Sequence, residues 1–274
     1  MPVDFTQKER YRVEDLLEIM HLLRSPQGCQ WDREQTHQSI RSNFLEETHE
    51  VIEAINQNNP DLLCEELGDV LLQIVFHAQM EKEKKNFSFD DVADGICKKL
   101  IVRHPHVFGD VQADDAEQIL KNWDKIKRET KGGKSQADLL RSVPKTLPAL
   151  MRSAKVQNRA ARQGFDWQEV SGALQSLESE KEELERAIES GDPAMMEDEL
   201  GDVLFSAVNV SRFIHCDAEQ ALSASCDKFI RRFSVVESLA EQQGIDMTKA
   251  SVEKLDELWS KAKSVSDAGS TDNI

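Results

Sequence analysis

Eight acidic residues stand out in this sequence, because they form two sets of four with the same spacing. The first set is Glu47, Glu50, Glu66 and Asp69, and the second is Glu180, Glu183, Glu199 and Asp202. Acids three residues apart share one face of a helix, with about 5–6 Å between their Cβ atoms. Carboxylates that are packed so closely repel one another unless a cation neutralises them or some take up protons. The pattern therefore predicts two metal sites.

The predicted ligands are all oxygen atoms. Without the histidine or cysteine that zinc prefers, such a set favours Mg²⁺, with Mn²⁺ as a possible substitute. A di-iron carboxylate site is a weaker hypothesis, because its Glu-x-x-His signature occurs at Glu46 and His49 but not at the equivalent Ser179 and Glu182.

The acids lie in a segment that the chain carries twice. Residues 44–77 match residues 177–210 at 12 of 34 positions without a gap. Self-similarity at one long period indicates one structural module present in two copies. In each copy a short connection ending in Pro60 or Pro193 separates two runs with helical spacing, which predicts an antiparallel helical hairpin. Acids at equal distances from the connection then face each other, so each set forms two rungs one helical turn apart.

Apolar residues beside the acids argue against an ordinary solvated helix face. They recur with helical spacing at Leu67, Val70, Leu71 and Ile74, and again at Leu200, Val203 and Leu204. A two-helix hairpin cannot cover such a stripe alone, so we expect hairpins to pack into four-helix bundles. Gly68 and Gly201 precede the two aspartates, although glycine costs a helix interior roughly 1 kcal/mol relative to alanine. Their position suggests that another helix or a ligand approaches the backbone there.

The composition favours an all-α fold made of two tandem helical modules. The chain has 274 residues, only 12 glycines and 7 prolines, and is rich in helix-forming residues. Periodicity and breakers predict helices at 8–24, 38–57, 61–84, 89–103, 114–130, 148–163, 168–190, 193–214, 218–241 and 251–263. We expect an N-terminal module at 1–130, a linker at 131–147, a C-terminal module at 148–263 and a disordered tail at 264–274.

Charge and cysteine content exclude some classes of partner. The net charge of −17 argues against binding to a nucleic-acid polymer, although a nucleotide held through Mg²⁺ remains compatible with it. The five cysteines form no CxxC pair, which favours buried or incidental thiols in a reducing cytoplasm. No apolar run reaches the roughly 18 residues that a membrane span needs. We therefore expect a soluble cytoplasmic protein without membrane partners.

Several motifs resemble those of the MazG-type nucleoside triphosphate pyrophosphohydrolases. The acids Glu46, Glu47 and Glu50, followed by Glu66 and Asp69, are similar to that family's EExxE…ExxD signature. Segments 28–37, 103–108 and 164–167 also resemble tandem-domain members, so the likeness extends from about residue 8 to residue 263.

Two positions depart from the family pattern. Gln30 stands where the family usually has proline, and this change affects a local turn. Ser179 replaces the first glutamate of EExxE in the second module, so only Glu180 and Glu183 carry over there.

The resemblance implies an all-α pyrophosphatase fold and a defined reaction. A nucleoside triphosphate such as ATP and water would give a nucleoside monophosphate and pyrophosphate, with Mg²⁺ held by the acidic sets. The attacking water would be bound to the metal and positioned by Glu180 and Glu183, and it would react at the α-phosphate. The alternative is a helical nucleotide-binding or interaction protein that does not turn substrate over.

Basic and aromatic residues supply candidate contacts to the substrate. Lys228 and Arg232 are four residues apart on one helix face, and Lys99 and Arg103 repeat that spacing, so both pairs suit phosphate oxygens. Three further candidates for contact with the nucleotide are Trp259, Trp123 and Ser176. Each tryptophan could instead close a core.

The second module is the favoured catalytic site. Its basic helix continues past Arg232, whereas Pro105 breaks the equivalent helix just after Arg103. We also expect a homodimer, because two-fold association is the commonest way to cover exposed hairpin stripes and the resemblance points the same way.

Overall fold

The computed structural model describes residues 4–109 and 135–268. These ranges contain helices and no strand, which confirms the all-α fold. The chain divides into two compact units, Met1–Gly132 and Gly133–Ile274. Each unit is built around one helical hairpin.

In the first unit, the described helices are α1 (Val13–Arg24), α2 (Gln30–Glu34), α3 (Arg41–Asn56), α4 (Pro60–Glu83), α5 (Phe89–Arg103) and α6 (Pro105–Phe108). Helices α3 and α4 form the hairpin, and α1 and α5 pack against α4. The core comprises Met20, Ile40, Val75, Phe76 and Met80. Because this core occupies the C-terminal half of α4, the N-terminal half is left to carry acidic side chains.

In the second unit, the described helices are α7 (Gln136–Arg141), α8 (Ala149–Ala161), α9 (Val170–Ser190), α10 (Pro193–Phe213), α11 (Ala218–Gln242) and α12 (Val252–Ala268). Helices α9 and α10 form the hairpin, α8 packs against α10, and α11 packs mainly against α12 and α8. Buried residues of α11 and α12 form the core between those two helices: Val236, Ala240, Leu258 and Ala262.

The two hairpins turn in the same way. Each turn contains a residue in the left-handed region, Asn58 with φ of 51° and Gly191 with φ of 71°, which ends the preceding helix. The next helix then begins with a polar cap followed by proline. The side chain of Asn59 accepts hydrogen bonds from the backbone of residues 61 and 62, and that of Asp192 accepts one from residue 194. These local signals fix where α4 and α10 begin.

Three short helices were not predicted. Helices α2, α6 and α7 have only 5, 4 and 6 residues, too few for apolar periodicity to be recognised. Helix α7 lies inside the segment predicted as a linker, where the Ser135 hydroxyl caps it by accepting a hydrogen bond from the Asp138 backbone.

Two helix boundaries also differ from the expectation. Helix α1 starts at Val13 rather than at residue 8. Helix α12 continues to Ala268, past the predicted start of the tail at Ser264, because no glycine or proline stops it before Gly269. The predicted helix at 114–130, with Trp123, lies outside the described residues, as does the rest of the tail.

Within the described ranges, no helix has both the length and the apolar character needed to span a bilayer. All five cysteines are exposed and unpaired, so the structure supports incidental rather than buried thiols.

Candidate metal centre

Each hairpin brings three of its four predicted acids into one cluster. Oxygen atoms of Glu47, Glu66 and Asp69 all lie within 4.8 Å of one another in the first unit. Oxygen atoms of Glu180, Glu199 and Asp202 lie equally close in the second unit. The first pair of helices contributes one acid from α3 and two from α4, and the second contributes one from α9 and two from α10.

The fourth acid takes a different position in each unit. Glu50 lies close enough to Glu47 and Glu66 to help raise the pKa of both, so it joins the first cluster from its edge. Glu183 instead contacts residues of its own helix. It accepts a hydrogen bond from the Ser179 hydroxyl at 3.4 Å and lies 3.8 Å from the Arg186 guanidinium. The serine that departs from the family pattern thus contacts one of the predicted ligands.

Burial and mutual repulsion raise the pKa of carboxyl groups in both clusters. Burial, and then the charge of Asp69, raises the pKa of Glu47, and burial followed by the charge of Glu50 raises the pKa of Glu66. In the second unit, burial and then the charge of Asp202 raise the pKa of Glu180. The carboxylate forms of Glu47, Glu66 and Glu180 are thus disfavoured, which is the electrostatic situation that a bound cation relieves.

The donor chemistry of the clusters fits a hard divalent cation. All nearby ligand atoms are carboxylate oxygens, and the side chains are partly exposed, except that Asp202 is exposed. Oxygen-only coordination suits Mg²⁺ and Mn²⁺ rather than zinc. Because the sites open to solvent, substrate phosphates could complete the coordination.

The two glycines before the aspartates face open space. A Cβ atom built on Gly68 or on Gly201 would meet nothing within 4 Å. Among the described residues, no helix of the same unit therefore approaches these positions. A ligand, or a helix of a second molecule, is the explanation that fits.

Ser176 lies between the two helices of its hairpin. Its hydroxyl is 3.4 Å from the hydroxyl of Ser206, and Ser206 is buried. This contact places Ser176 one turn before Glu180 on α9, on the side that faces α10.

The predicted basic pairs lie on helices that flank the hairpins. Lys228 is exposed and Arg232 is partly buried on α11, and this helix extends ten residues beyond Arg232 to Gln242. Lys99 is exposed on α5, and Arg103 is the last residue of that helix. The structure therefore gives the second basic pair a longer helical support.

Trp259 closes part of a core. It packs against the buried residues shared by α11 and α12, and its ring lies 5.1 Å from that of Phe229. Phe229 is 55% exposed, so these two rings connect the core to the surface that carries Lys228.

Two polar groupings are not predicted by the sequence. Arg186 lies beside Glu183, a contact that the i,i+3 spacing could have indicated. In the first unit, His37 joins His77 at 2.7 Å and Glu81 at 2.6 Å. The spacing of four between His77 and Glu81 hinted at a shared face, but nothing in the sequence placed His37 next to them.

Comparison with known families identifies both hairpins. The model described as "MazG nucleotide pyrophosphohydrolase domain" matches residues 35–108 and 168–237. The two matched regions include both acidic sets and both basic pairs.

Relatives match over nearly the whole chain. A Thermotoga maritima protein named "Nucleoside triphosphate pyrophosphohydrolase/pyrophosphatase MazG" is 45% identical over 250 residues, covering 91% of this chain and 95% of that protein. An Escherichia coli "Nucleoside triphosphate pyrophosphohydrolase" is 41% identical over 255 residues, covering 92% and 97%. The "Uncharacterized protein YabN" of Bacillus subtilis is 45% identical over 246 residues, covering 89% of this chain and 50% of its own length.

Proposed function

Because the chain belongs to the MazG nucleotide pyrophosphohydrolase family, we propose that it hydrolyses nucleoside triphosphates to nucleoside monophosphates and pyrophosphate. The three-carboxylate cluster is the observation that links this function to specific residues, because it recurs at the same positions of both hairpins. Attack on a phosphate requires neutralisation of a highly charged substrate, and these clusters are the sites best suited to hold the cation for it.

The metal of the reaction is Mg²⁺, and Mn²⁺ can replace it. Two ligand sets would hold it: Glu180, Glu183, Glu199 and Asp202, or Glu47, Glu50, Glu66 and Asp69. When bound, the ion neutralises phosphate charge and makes water a better nucleophile. Support comes from the oxygen-only donor set and from the raised pKa of Glu47, Glu66 and Glu180.

Glu180 and Glu183 orient the attacking water toward the α-phosphorus by accepting its hydrogen bonds. Glu183 keeps a hydrogen bond from Ser179 on its own helix, which fixes its orientation. Both residues lie on α9, so one rigid element sets the direction of attack.

Cationic side chains neutralise the phosphate groups that the metal does not reach. Lys228 and Arg232 fill this role in the second module, and Lys99 and Arg103 in the first. Trp259 or Trp123 stacks on the base, and Ser176 donates a hydrogen bond to the nucleotide. The pairing of Phe229 with Trp259 beside Lys228 supports an aromatic and basic surface of this kind.

The active form is a homodimer in which a second copy covers the exposed face of α11. That face carries four apolar residues that are 39–61% exposed: Leu222, Phe229, Ile230 and Phe233. Basic residues of α11 border it, and the chain as a whole has a net charge of −17. A second copy therefore offers both the apolar surface and the acidic hairpin that this helix complements. The exposed, unpaired thiols support a reducing cytoplasm as the compartment.

The reaction is tested by product analysis in ¹⁸O-labelled water. A nucleoside triphosphate is incubated with the protein and Mg²⁺, and the products are separated and their masses measured by mass spectrometry. We expect monophosphate and pyrophosphate, with the label in the monophosphate, because water attacks the α-phosphorus. Label in pyrophosphate would place the attack at the β-phosphorus, and binding without products would identify a nucleotide-binding protein instead.

The matched control is a protein with Glu47→Gln and Glu180→Gln together, which removes one acid from each cluster at almost constant volume. It should release no pyrophosphate. A panel of ordinary, damaged and signalling nucleotides then ranks the substrates.

A further inference from the structure

A cavity lies in the C-terminal unit, between α8 and α10. It has a volume of about 430 Å³, within the range of small-molecule sites. Its walls are mostly apolar and aromatic, with a few polar groups supplied by Gln157, Asn209 and Arg212. This combination is typical of sites that bind a flat organic ligand.

One wall carries a polar atom that lacks a partner. Gln157 is only 7% exposed, and its amide nitrogen donates a hydrogen bond to the backbone carbonyl of Phe205 at 2.7 Å. Its amide oxygen is buried and has no hydrogen-bond partner among the residues that the structure describes. Leaving a buried acceptor unsatisfied is costly, so the amide would turn toward a ligand that offers an N–H donor in the cavity.

Two aromatic side chains line the same cavity without being covered by the chain. Phe165 is 84% exposed and Trp167 is 49% exposed. The indole of Trp167 is nevertheless held in place, because it packs closely on Gly172. A Cβ atom built on that glycine would lie only 2.9 Å from the indole ring. Such rings are suited to stacking on a planar base.

The loop that carries these rings is anchored to α10. The Arg212 guanidinium donates to Asp166 at 2.5 Å and to Asn209 at 3.0 Å, and Asp166 also accepts from the backbone of Trp167 at 3.0 Å. Arg212 is thereby neutralised, so the cavity offers hydrogen bonds and stacking rather than a net positive charge. A phosphate group is not the part of a ligand that it selects.

We propose that this cavity binds a purine base, with Gln157 accepting an N–H hydrogen bond and Phe165 and Trp167 stacking on the ring. A purine is favoured over a pyrimidine because its larger π-face makes better use of two aromatic side chains. The base belongs either to a free nucleoside or to the nucleoside triphosphate of the proposed function, and in the second case Phe165 and Trp167 take the stacking role assigned above to Trp259. Phe205, Asn209 and Arg212 lie on the same side of α10 as Asp202, so the cavity begins about one helical turn from the acidic cluster.

Binding is measured by calorimetry with adenosine and guanosine in EDTA. Neither hydrolysis nor metal is needed, so the result is independent of the proposed function. We expect binding at millimolar concentration or below, and weaker binding of N6,N6-dimethyladenosine, which keeps the adenine ring but has no N6–H donor. Absence of binding by both nucleosides would overturn the proposal.

Two variants tie the signal to the cavity. Gln157→Met keeps the approximate shape and removes the unpartnered oxygen together with the hydrogen bond to Phe205, so it should bind adenosine at least about fivefold more weakly and discriminate less against the dimethylated analogue. Trp167→Ala should also weaken binding at least about fivefold. Equal affinity in wild type and both variants would contradict the proposal, because adenosine would then bind elsewhere. A Trp167→Ala protein that loses self-association while wild type binds no nucleoside would assign the cavity to a protein contact instead.

Competition separates the two sources of the base. If the base belongs to the substrate, adenosine inhibits pyrophosphate release competitively against the nucleoside triphosphate. If a free nucleoside is the ligand, adenosine binds equally well in the presence of saturating triphosphate and EDTA. Both results support a purine site, and each identifies one source.

Discussion

Glu180 and Asp202 face each other across the α9–α10 hairpin, with carboxylate oxygens within 4.8 Å. Burial raises the pKa of Glu180, and the charge of Asp202 raises it further, more than any other neighbouring charge does. A carboxyl with a raised folded-state pKa stabilises the protein most below its unfolded pKa, and this stabilisation is lost as pH rises through the folded value. At neutral pH the cluster therefore destabilises the metal-free protein.

Glu180→Gln should make the metal-free protein more stable. The same change should remove the activity that the protein has in the presence of metal. Replacing one repelling carboxylate with an amide should raise Tm at pH 7 by about 2 °C, and the difference should disappear below about pH 4, where Glu180 is protonated in the folded protein. Scanning fluorimetry across pH measures this. Glu182→Gln, an exposed neighbour on the same helix, is the control and should leave Tm unchanged. A variant less stable than wild type at pH 7 would show that Glu180 is held by favourable contacts instead.

Metal removal should abolish turnover. Because the donors of both clusters are oxygen atoms, activity should vanish in EDTA and return with excess Mg²⁺ or Mn²⁺. Mg²⁺ should also raise Tm of the wild type by a few degrees but that of Glu180→Gln by less, since binding to the folded state stabilises it. Full pyrophosphate release in metal-free buffer would remove the metal from the proposal.

The second module should be the main catalytic site. Its basic pair lies on a helix that continues to Gln242, whereas the equivalent helix in the first module ends at Arg103. Glu180→Ala should therefore reduce kcat at least about 100-fold, whereas Glu47→Ala should retain much of the activity. Both variants are compared by steady-state pyrophosphate release after their folding is checked by circular dichroism. The reverse order would overturn the ranking, and equal losses would indicate two working or coupled sites.

A charge on the exposed face of α11 should dissociate the dimer. Ile230 is 61% exposed, so Ile230→Asp should leave the fold intact but place a charge in the proposed interface. Sedimentation should change from dimer to monomer, and activity should fall with it. Val252→Asp is the matched control, because Val252 is 70% exposed but lies at the start of α12, away from that face. A wild-type protein that is monomeric and fully active at micromolar concentration would contradict the proposal.

Glu81 should stabilise the first unit over a defined pH range. Hydrogen bonds from Asn86, Lys84 and His37 lower the pKa of Glu81 to about 2. A lowered pKa gives stability that is present above the unfolded value near 4.5 and is lost as pH falls toward 2. Glu81→Gln should lower Tm at pH 7 by roughly 2–4 °C, and the gap should close between pH 4.5 and 2. Exposed Glu9→Gln provides the reference, and a gap independent of pH would refute the electrostatic explanation.

The sequence was sufficient for the elements that carry long periodic patterns. Helix α5 was predicted with both boundaries right, since Ser88 caps its start and Pro105 follows its end. The facing of Glu47 with Asp69 followed from the hairpin connection alone, because residues equidistant from a turn must meet. These predictions depended on local chemistry and on spacing along one chain.

Contacts between distant segments could not be predicted in the same way. His37 meets Glu81 only because the segment before α3 joins the core of α1 and α4 through Ile40, and Gln157 reaches Phe205 only because α8 packs against α10. Glu183 was placed among the ligands by its spacing, but its contact with Arg186 depends on side-chain conformation. Packing between elements decides such contacts, and spacing along the chain does not report it.

The helical stretches between each turn and its acids make the acidic clusters sensitive to chain length. Inserting one residue into α10 between Pro193 and Glu199 would rotate Glu199 and Asp202 by about 100° and shift them by about 1.5 Å relative to the turn. Both acids would then point away from Glu180, although none of the three residues had changed. The surface turn itself can absorb an insertion, whereas these helical stretches must keep their length for the acids to meet.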